Sequence, residues 1–362
     1  MPASEKREKL ISLTKKIFLG RGLDVGTAFI YCAQKTGPQV TFKTQRNAFF
    51  DIEYSEFTQG ILEKSDIKYI LSKPPHQKFD DGGKDKIYIV GNDAIKFANV
   101  FGRSTRRPLK RGVISPEETE ALPIMELIIK SVLHAPVEKD EIVYYSVPSA
   151  PVDAEFNTVY HQNIIRGFLE KWGYQARPLN EGLAVIFSEL AEDNFTGMGI
   201  SFGGGMANVC LALMSSPVFS FSVTRAGDWI DEQVAIVTNT SLSKITTFKE
   251  NFFTLKKSES SMTKIEQALS IYYDHLIEYV LDEIKKEIAK NTSIPKFEKP
   301  IPIVISGGTA NPPGFIERFK EMFQKIDFPL EVREVRLAPN PLYTVAKGTL
   351  IAAIANRKSQ VS

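Results

Sequence analysis

Apolar residues first recur at helical spacing in Ser4–Leu19, where Leu10, Leu13 and Ile17 share a face, Ile11 and Phe18 sit beside them and lysines fill the rest. That pattern predicts a short basic amphipathic helix. Gly20 and Gly22 are expected to end it ahead of the apolar run Leu23–Cys32, which reads as a strand. From Gly37 to about Gly91, strand-like pieces such as Ile67–Leu71 and Ile87–Val90 are separated by Lys73-Pro74-Pro75 and Asp80-Asp81-Gly82-Gly83, as in a small inserted subdomain. Ser115, Pro116 and Glu118 supply an N-cap, a first-turn proline and a capping acid ahead of the periodic stretch Leu122–Leu133, so a helix is expected to start there. Ile142–Val147 reads as a buried strand and Phe156–Trp172 as a helix.

The alternation then starts again. A second series opens at Gly197–Met214, and Thr263 with Glu266 three residues later predicts a capped helix to about Lys290. Its Ile265, Leu269, Tyr272, Leu276, Val280, Ile284 and Ile288 form one apolar face. Pro302–Ile305 reads as a strand entering Gly307-Gly308, followed by a helix from about Gly314. Such alternation predicts α/β domains whose ligand sites lie at the carboxyl ends of strands. Two glycine-bearing strand ends, one in each half, point to a shared cleft.

A chain of 362 residues exceeds one ordinary core and fits two domains of about 150 to 200 residues each. A hydrophobic fraction of 43% and a charged fraction of 24% exclude disordered and collagen-like classes. With 45 basic against 43 acidic residues the net charge of +2 gives no field to gather nucleic acid, and no nucleic-acid partner is expected. Two cysteines, Cys32 and Cys210, in apolar stretches suit a reducing compartment, and four scattered histidines show no metal-ligand spacing. No apolar run approaches the roughly 20 residues that span a bilayer, nor does a cleavable leader open the chain, so a cytoplasmic location is expected.

Three segments carry candidate chemistry. Leu23-Asp24-Val25-Gly26-Thr27-Ala28 places an acid, a glycine and a hydroxyl in a tight strand-turn-strand: glycine admits a phosphate to the backbone, threonine donates to it, and aspartate holds the waters of a bridging magnesium. Alone, the segment reads more readily as an ordinary β-hairpin bearing a turn acid. Ser201-Phe202-Gly203-Gly204-Gly205-Met206 lies between two strands, and three successive glycines suit either a phosphate cradle or a flexible hairpin tip. Ser306-Gly307-Gly308-Thr309 ends a buried strand with flat backbone fit to face a purine and ribose, a shape that generic βα turns share.

Taken in order, these segments resemble the actin-like group of the actin, Hsp70 and sugar-kinase superfamily, and are most similar to the bacterial actin homologue MreB. The phosphate loops of that family match Leu23–Thr27 and Ser201–Val209, and its adenosine loop matches Ser306–Gly314. Asn180-Glu181-Gly182-Leu183-Ala184 and Pro341–Gly348 resemble its connecting helices, and Arg107–Ile114, Ser146–Ser149 and Gly227–Glu232 resemble MreB more narrowly. The resemblance spans about Gly22–Ala355, with Gly37–Gly91 matching only by position. It implies an α/β fold of two similar actin-like (ribonuclease-H-like) domains flanking a nucleotide cleft, each with a smaller inserted subdomain. The expected division is an amphipathic segment 1–21, domain I over 22–180 with an insertion at about 37–98, domain II over 181–355 with an insertion at about 233–300, and a tail 356–362.

The resemblance further implies ATP or ADP with magnesium, Asp24 organising the metal through water, and Glu181 positioning the attacking water. Gly26, Thr27 and Ala28 would contact phosphate, as would Gly203, Gly204, Gly205 and Met206; Gly307, Gly308 and Thr309 would face the adenosine, with Asp228 and Lys249 near the nucleotide. Two departures stand out: Ser201 where the family has aspartate, and Met206 where it has threonine. Loss of the carboxylate is expected to weaken hydrolysis more than binding. The first expectation is therefore an ATPase that polymerises into filaments, with residues 4–19 either lying on a membrane surface or forming a solvated or core-packed lead-in helix. The alternative is a non-polymerising, PilM-like adaptor, and a small-molecule kinase is disfavoured because no acid stands out as base for a substrate hydroxyl.

Overall fold

The computed structural model describes residues 18–53, 55–64, 67, 70–73, 86–98, 100–256 and 261–361. The first half contains β1 (Phe18–Val25), β2 (Phe29–Thr36), β3 (Gln39–Arg46), β4 (Phe49–Glu53), α1 (Glu56–Lys64), β5 (Ile70–Lys73), β6 (Lys86–Val90), α2 (Asn92–Phe97), β7 (Leu109–Lys110), β8 (Val113–Ile114), α3 (Ala121–Val132), β9 (Glu141–Val147), α4 (Val159–Lys171) and β10 (Tyr174–Asn180). The second contains α5 (Glu181–Glu189), β11 (Gly197–Phe202), β12 (Ala207–Leu213), β13 (Ser216–Val223), α6 (Gly227–Thr238), α7 (Leu242–Asn251), α8 (Lys264–Lys290), β14 (Ile301–Ser306), α9 (Phe315–Phe323), β15 (Val332–Leu337) and α10 (Thr344–Val361).

The halves repeat one topology. In the first, β1-β2-β3 form an antiparallel meander and β9, then β10, add in parallel beside β1, giving the order β10-β9-β1-β2-β3. In the second, β11-β12-β13 form the meander and β14, then β15, add in parallel beside β11. One core lies between the first sheet and α3 and α4, where Ile124, Met125, Ile128 and Ile129 of α3 meet Leu23, Val143 and Tyr145. A larger core joins the second sheet to α6, α8 and α9. The inner parallel strands β9, β11 and β14 are buried on both faces, which explains continuous apolar runs such as Ile301–Ser306.

Two helices tie the halves together. α5 packs on β11 and β12, α10 packs on β1, β2 and β9, and the two pack on each other. A Cβ on Gly348 of α10 would lie 1.9 Å from the Ala184 carbonyl oxygen of α5, so only glycine permits this crossing. The capping box at α8 forms as the sequence predicts: Thr263 Oγ1 accepts from Glu266 N, and Glu266 Oε2 accepts from Thr263 N.

Several expectations shift. Gly20 and Gly22 do not precede the first strand but lie within β1; a Cβ on Gly22 would lie 2.1 Å from Leu350 N, so this glycine marks the close approach of α10 rather than a break. Residues 18–21 accordingly belong to the first sheet, while residues 4–17 of the expected amphipathic helix lie outside the described residues, as does Asp80–Gly83. β3, inside the 37–98 stretch expected to be inserted, is the edge of the large sheet; the separate sheet β4-β6-β5 begins at Phe49. The helix expected at Ser115 starts at Ala121, because residues 115–120 form two successive turns, with Glu118 N donating to Ser115 O and Ala121 N to Glu118 O. The predicted helix 156–172 is shorter at its start, and residues 356–361, expected as a tail, continue α10.

Candidate functional site

The two hairpins meet tip to tip between the halves, at the carboxyl ends of β1 and β11. The β1–β2 turn is closed by Gly26 N donating to Phe29 O at 3.0 Å, and Asn47 braces it from β3's end by donating Nδ2 to Gly26 O at 3.0 Å. The β11–β12 turn is closed in the same way, Gly203 N donating to Met206 O at 2.9 Å. A Cβ on Gly205 would stand 2.3 Å from Thr27 Oγ1 and 2.5 Å from Gly112 N, so the triglycine tip abuts the first hairpin as bare backbone. Met206 is buried, and its thioether packs over Gly112.

Around these tips lies a cavity of about 510 Å³ whose walls come from both halves. Asp24, Gly26, Thr27, Ala28, Glu181, Ser201, Gly203, Gly204, Gly205, Met206, Asp228, Lys249, Gly307, Gly308 and Thr309, all singled out from sequence, line it. A space of this size, with apolar walls and a few convergent polar groups, has the character of a small-molecule site. The Gly307 turn is forced: its φ is +97°, and a Cβ there would lie 2.1 Å from Phe202 O. Thr309 Oγ1 donates to Gly203 O at 2.7 Å, and Asp228 N donates to Gly204 O at 2.8 Å, so two separate segments fix the triglycine tip.

Two carboxylates share one wall. Asp24 is buried at the end of β1 and accepts from Ser146 Oγ at 2.8 Å, while Ser146 Oγ accepts from Val25 N at 2.9 Å. Glu181 opens α5, whose N-cap Asn180 accepts from Leu183 N at 3.1 Å. Its Oε2 accepts from Asn208 Nδ2 at 3.0 Å and Ser201 Oγ at 3.3 Å, and Asn208 Oδ1 accepts from Ser149 N at 2.9 Å. Loss of hydration raises the pKa of Asp24 above the ordinary carboxylate range, against the lowering effect of the Ser146 hydroxyl. Loss of hydration, then the charge of Asp24, raises Glu181, against the two hydrogen bonds it accepts.

The opposite wall belongs to α6 and α7. Lys249 is buried, donates to Gly227 O at 2.6 Å and pairs with Asp231 Oδ1 at 2.8 Å; Asp231 Oδ2 accepts from Thr246 Oγ1 at 2.8 Å. Lys249 is therefore already committed to protein partners. Asp228 likewise faces Arg107, with Nη1 to Oδ1 at 2.7 Å. Arg46, Arg107, Asp231, Glu250, Asn208 and Ser146 went unremarked as site residues in the sequence. Arg107, Ser146, Asp231 and Asn208 nevertheless lie in segments that the resemblance covers, and Asn208 pairs with Ser201 in the hairpin register as Tyr31 pairs with Asp24.

Two five-stranded sheets of identical order, a glycine hairpin from each and a cleft between them define the actin-like two-domain α/β class. Within it, the sequence profile of the volactin family matches residues 19–353, and the chain belongs to that family. No curated protein matches it in sequence. Among solved structures the fold is similar to MamK in its double helical filament, at TM-score 0.68 and 15% identity over 92% of this chain and 98% of that one. MreB5 of Spiroplasma citri bound to AMPPNP gives TM-score 0.62 at 16% identity over 94% of this chain and 97% of that one. The ethanolamine utilization protein EutJ from Carboxydothermus hydrogenoformans gives TM-score 0.50 at 16% identity over 98% and 100%.

Proposed function

We propose that this protein binds ATP and ADP between its halves, hydrolyses ATP slowly and assembles into cytoskeletal filaments in a nucleotide-dependent way. The observation that carries the reading is the meeting of two glycine hairpins beside the buried Asp24 and the half-buried Glu181 in one cavity. Backbone amides at both tips suit phosphate oxygens, and the flat Gly307-Gly308 turn suits the nucleoside. MreB5 and MamK, similar in fold, were solved with AMPPNP, and MamK as a filament.

Magnesium fits this donor set. Two acids whose pKa values are raised in a poorly hydrated wall are a place for a hard cation. Among the described residues no cluster of three or more His, Cys, Asp or Glu side chains could hold a metal unaided. An ion carried mainly by phosphate and water, with Asp24 as anchor, meets both facts, and its charge would neutralise phosphate oxygens. Glu181, aimed by Asn208 and Ser201, would orient the attacking water. Ser201 presents a neutral hydroxyl to Glu181, so binding is expected to outlast rapid turnover.

That hydroxyl also favours the second reading, a PilM-like adaptor that keeps its nucleotide as a structural ligand and does not polymerise. High-speed sedimentation with negative-stain microscopy and phosphate release, in magnesium with ATP, ADP or no nucleotide, separates the two. ATP-dependent filaments support the first reading; a soluble protein that binds ATP under every condition moves the assignment to the adaptor. A cytoplasmic location at the inner membrane surface belongs to the same proposal, through residues 4–19. Among the described residues no helix is long and apolar enough to cross a membrane. Equal liposome binding by the full chain and by one starting at Gly20 would remove the membrane element.

A further inference from the structure

The small sheet β4-β6-β5 with α1 and α2 is an excursion from the first half, and each of its two stems carries an arginine directed at the second half. The outgoing stem ends β3 at Arg46, whose backbone N donates to Asn92 Oδ1 at 3.2 Å, while Asn92 N donates to Gln45 Oε1 at 2.8 Å. The returning stem passes Arg106, which bridges Phe49 of β4 in antiparallel fashion and pairs with Asp51 at 2.7 Å, and reaches Arg107 next. Both arginines thus sit where the small sheet joins the cleft, Arg46 tied to it through its own backbone N–H to Asn92 and Arg107 through its neighbour Arg106.

Both cross the cleft to an acid. Arg46 makes a two-point pair with Glu250 of α7, Nη1 to Oε1 at 3.1 Å and Nη2 to Oε2 at 2.5 Å, and its guanidinium stacks 3.9 Å from the Phe29 ring centre. Arg107 meets Asp228 in the first turn of α6, where the helix N-terminus also stabilises the acid. The side chains of the four residues are 23–30% exposed, sheltered enough that water screens the pairs less than on an open surface. All four line the cavity, so the pairs stand at its wall rather than on the far side of either half.

We propose that Arg46–Glu250 and Arg107–Asp228 form a double latch that couples the orientation of the small sheet to the opening of the cleft. Rotation of the small sheet carries both arginines with it, so the pairs part together and the halves separate; while both hold, the cleft stays shut without a ligand. Its consequence for nucleotide release rests on the proposed function, whereas the latch itself does not.

Spin labels at Ile95→Cys on α2 and Ile236→Cys on α6 report the closure in the full chain without nucleotide, since both positions are exposed and Cys32 and Cys210 are buried. The latched chain is expected to give one narrow distance distribution, and Arg46→Ala with Arg107→Ala a broader, longer one. Arg46→Glu should broaden it too, and adding Glu250→Arg should narrow it again, a rescue that lost packing would not produce. An unchanged distribution in the double alanine variant, or no rescue by the charge swap, overturns the latch. With a fluorescent ATP analogue as probe, release from the double variant should be about tenfold faster. If the unaltered chain binds no analogue, the nucleotide reading fails while the distances still decide the latch.

Discussion

The β1–β2 and β11–β12 hairpins are the same device built twice, and they differ at the residue that matters most for charge. Register places Asp24 opposite Tyr31 in one and Ser201 opposite Asn208 in the other. The first half therefore brings a buried carboxylate to the cleft, and the second brings two neutral donors that fix Glu181. Backbone shape, set by glycine and strand register, is kept in both copies; side-chain chemistry is divided between them. The same division appears in the helices between the two parallel strands, where α9 buries Phe315 and Phe319 and α4 buries His161, Ile165 and Leu169.

The comparison breaks most severely at the crossing of α5 and α10. Gly348→Ala would drive a methyl into the Ala184 carbonyl, and a loss of about 4 kcal/mol is expected in urea unfolding, enough to deplete folded protein. Next comes His161, buried with neither ring nitrogen hydrogen-bonded among the described residues, its pKa pushed down to about 4 by burial. Above pH 6.5 the residue is neutral in both states and costs nothing. As pH falls, the unfolded chain takes up the proton and the folded chain does not, so stability should decline until about pH 4, by ~3 kcal/mol in all. His161→Leu should flatten that acid limb of the stability curve, and an unchanged limb would show that the buried ring is not its source.

At the hairpins, Asp24→Asn is expected to slow phosphate release by about 100-fold, and Ser201→Asp to speed it, the two halves responding in opposite directions. Equal responses would mean that the charge is not divided as described. The smallest effect concerns Gly167 of α4, where a Cβ meets nothing within 4 Å. Gly167→Ala should raise stability by about 0.5 to 1 kcal/mol, the reverse of Gly348→Ala, because only helix propensity changes.

Local chemistry was legible in the sequence; long-range geometry was not. Thr263 and Glu266 announced their capping box because both partners lie within one turn, whereas the three glycine segments announced the cleft only through their order along the chain, since each alone also fits an ordinary turn. Gly20 and Gly22 misled for the same reason: a glycine that admits a neighbouring helix has the same letter as one that ends an element, and Leu350 lies far along the chain. Ser115, Pro116 and Glu118 carry the residues of a helix start, yet two turns intervene before Ala121. Arg46 meets Glu250 across 204 positions and Arg107 meets Asp228 across 121, so nothing near either arginine marks its partner.

The central claim is that the hairpins of the two halves close together on one nucleotide. Titration calorimetry of magnesium-ATP into the full chain and into Gly205→Ala tests it most directly, because a Cβ at Gly205 strikes Thr27 and Gly112 across the cleft. The account predicts one site per chain, weakened about tenfold or more in the variant while the fold is retained. No binding to the unaltered chain, or equal binding by both, would contradict it.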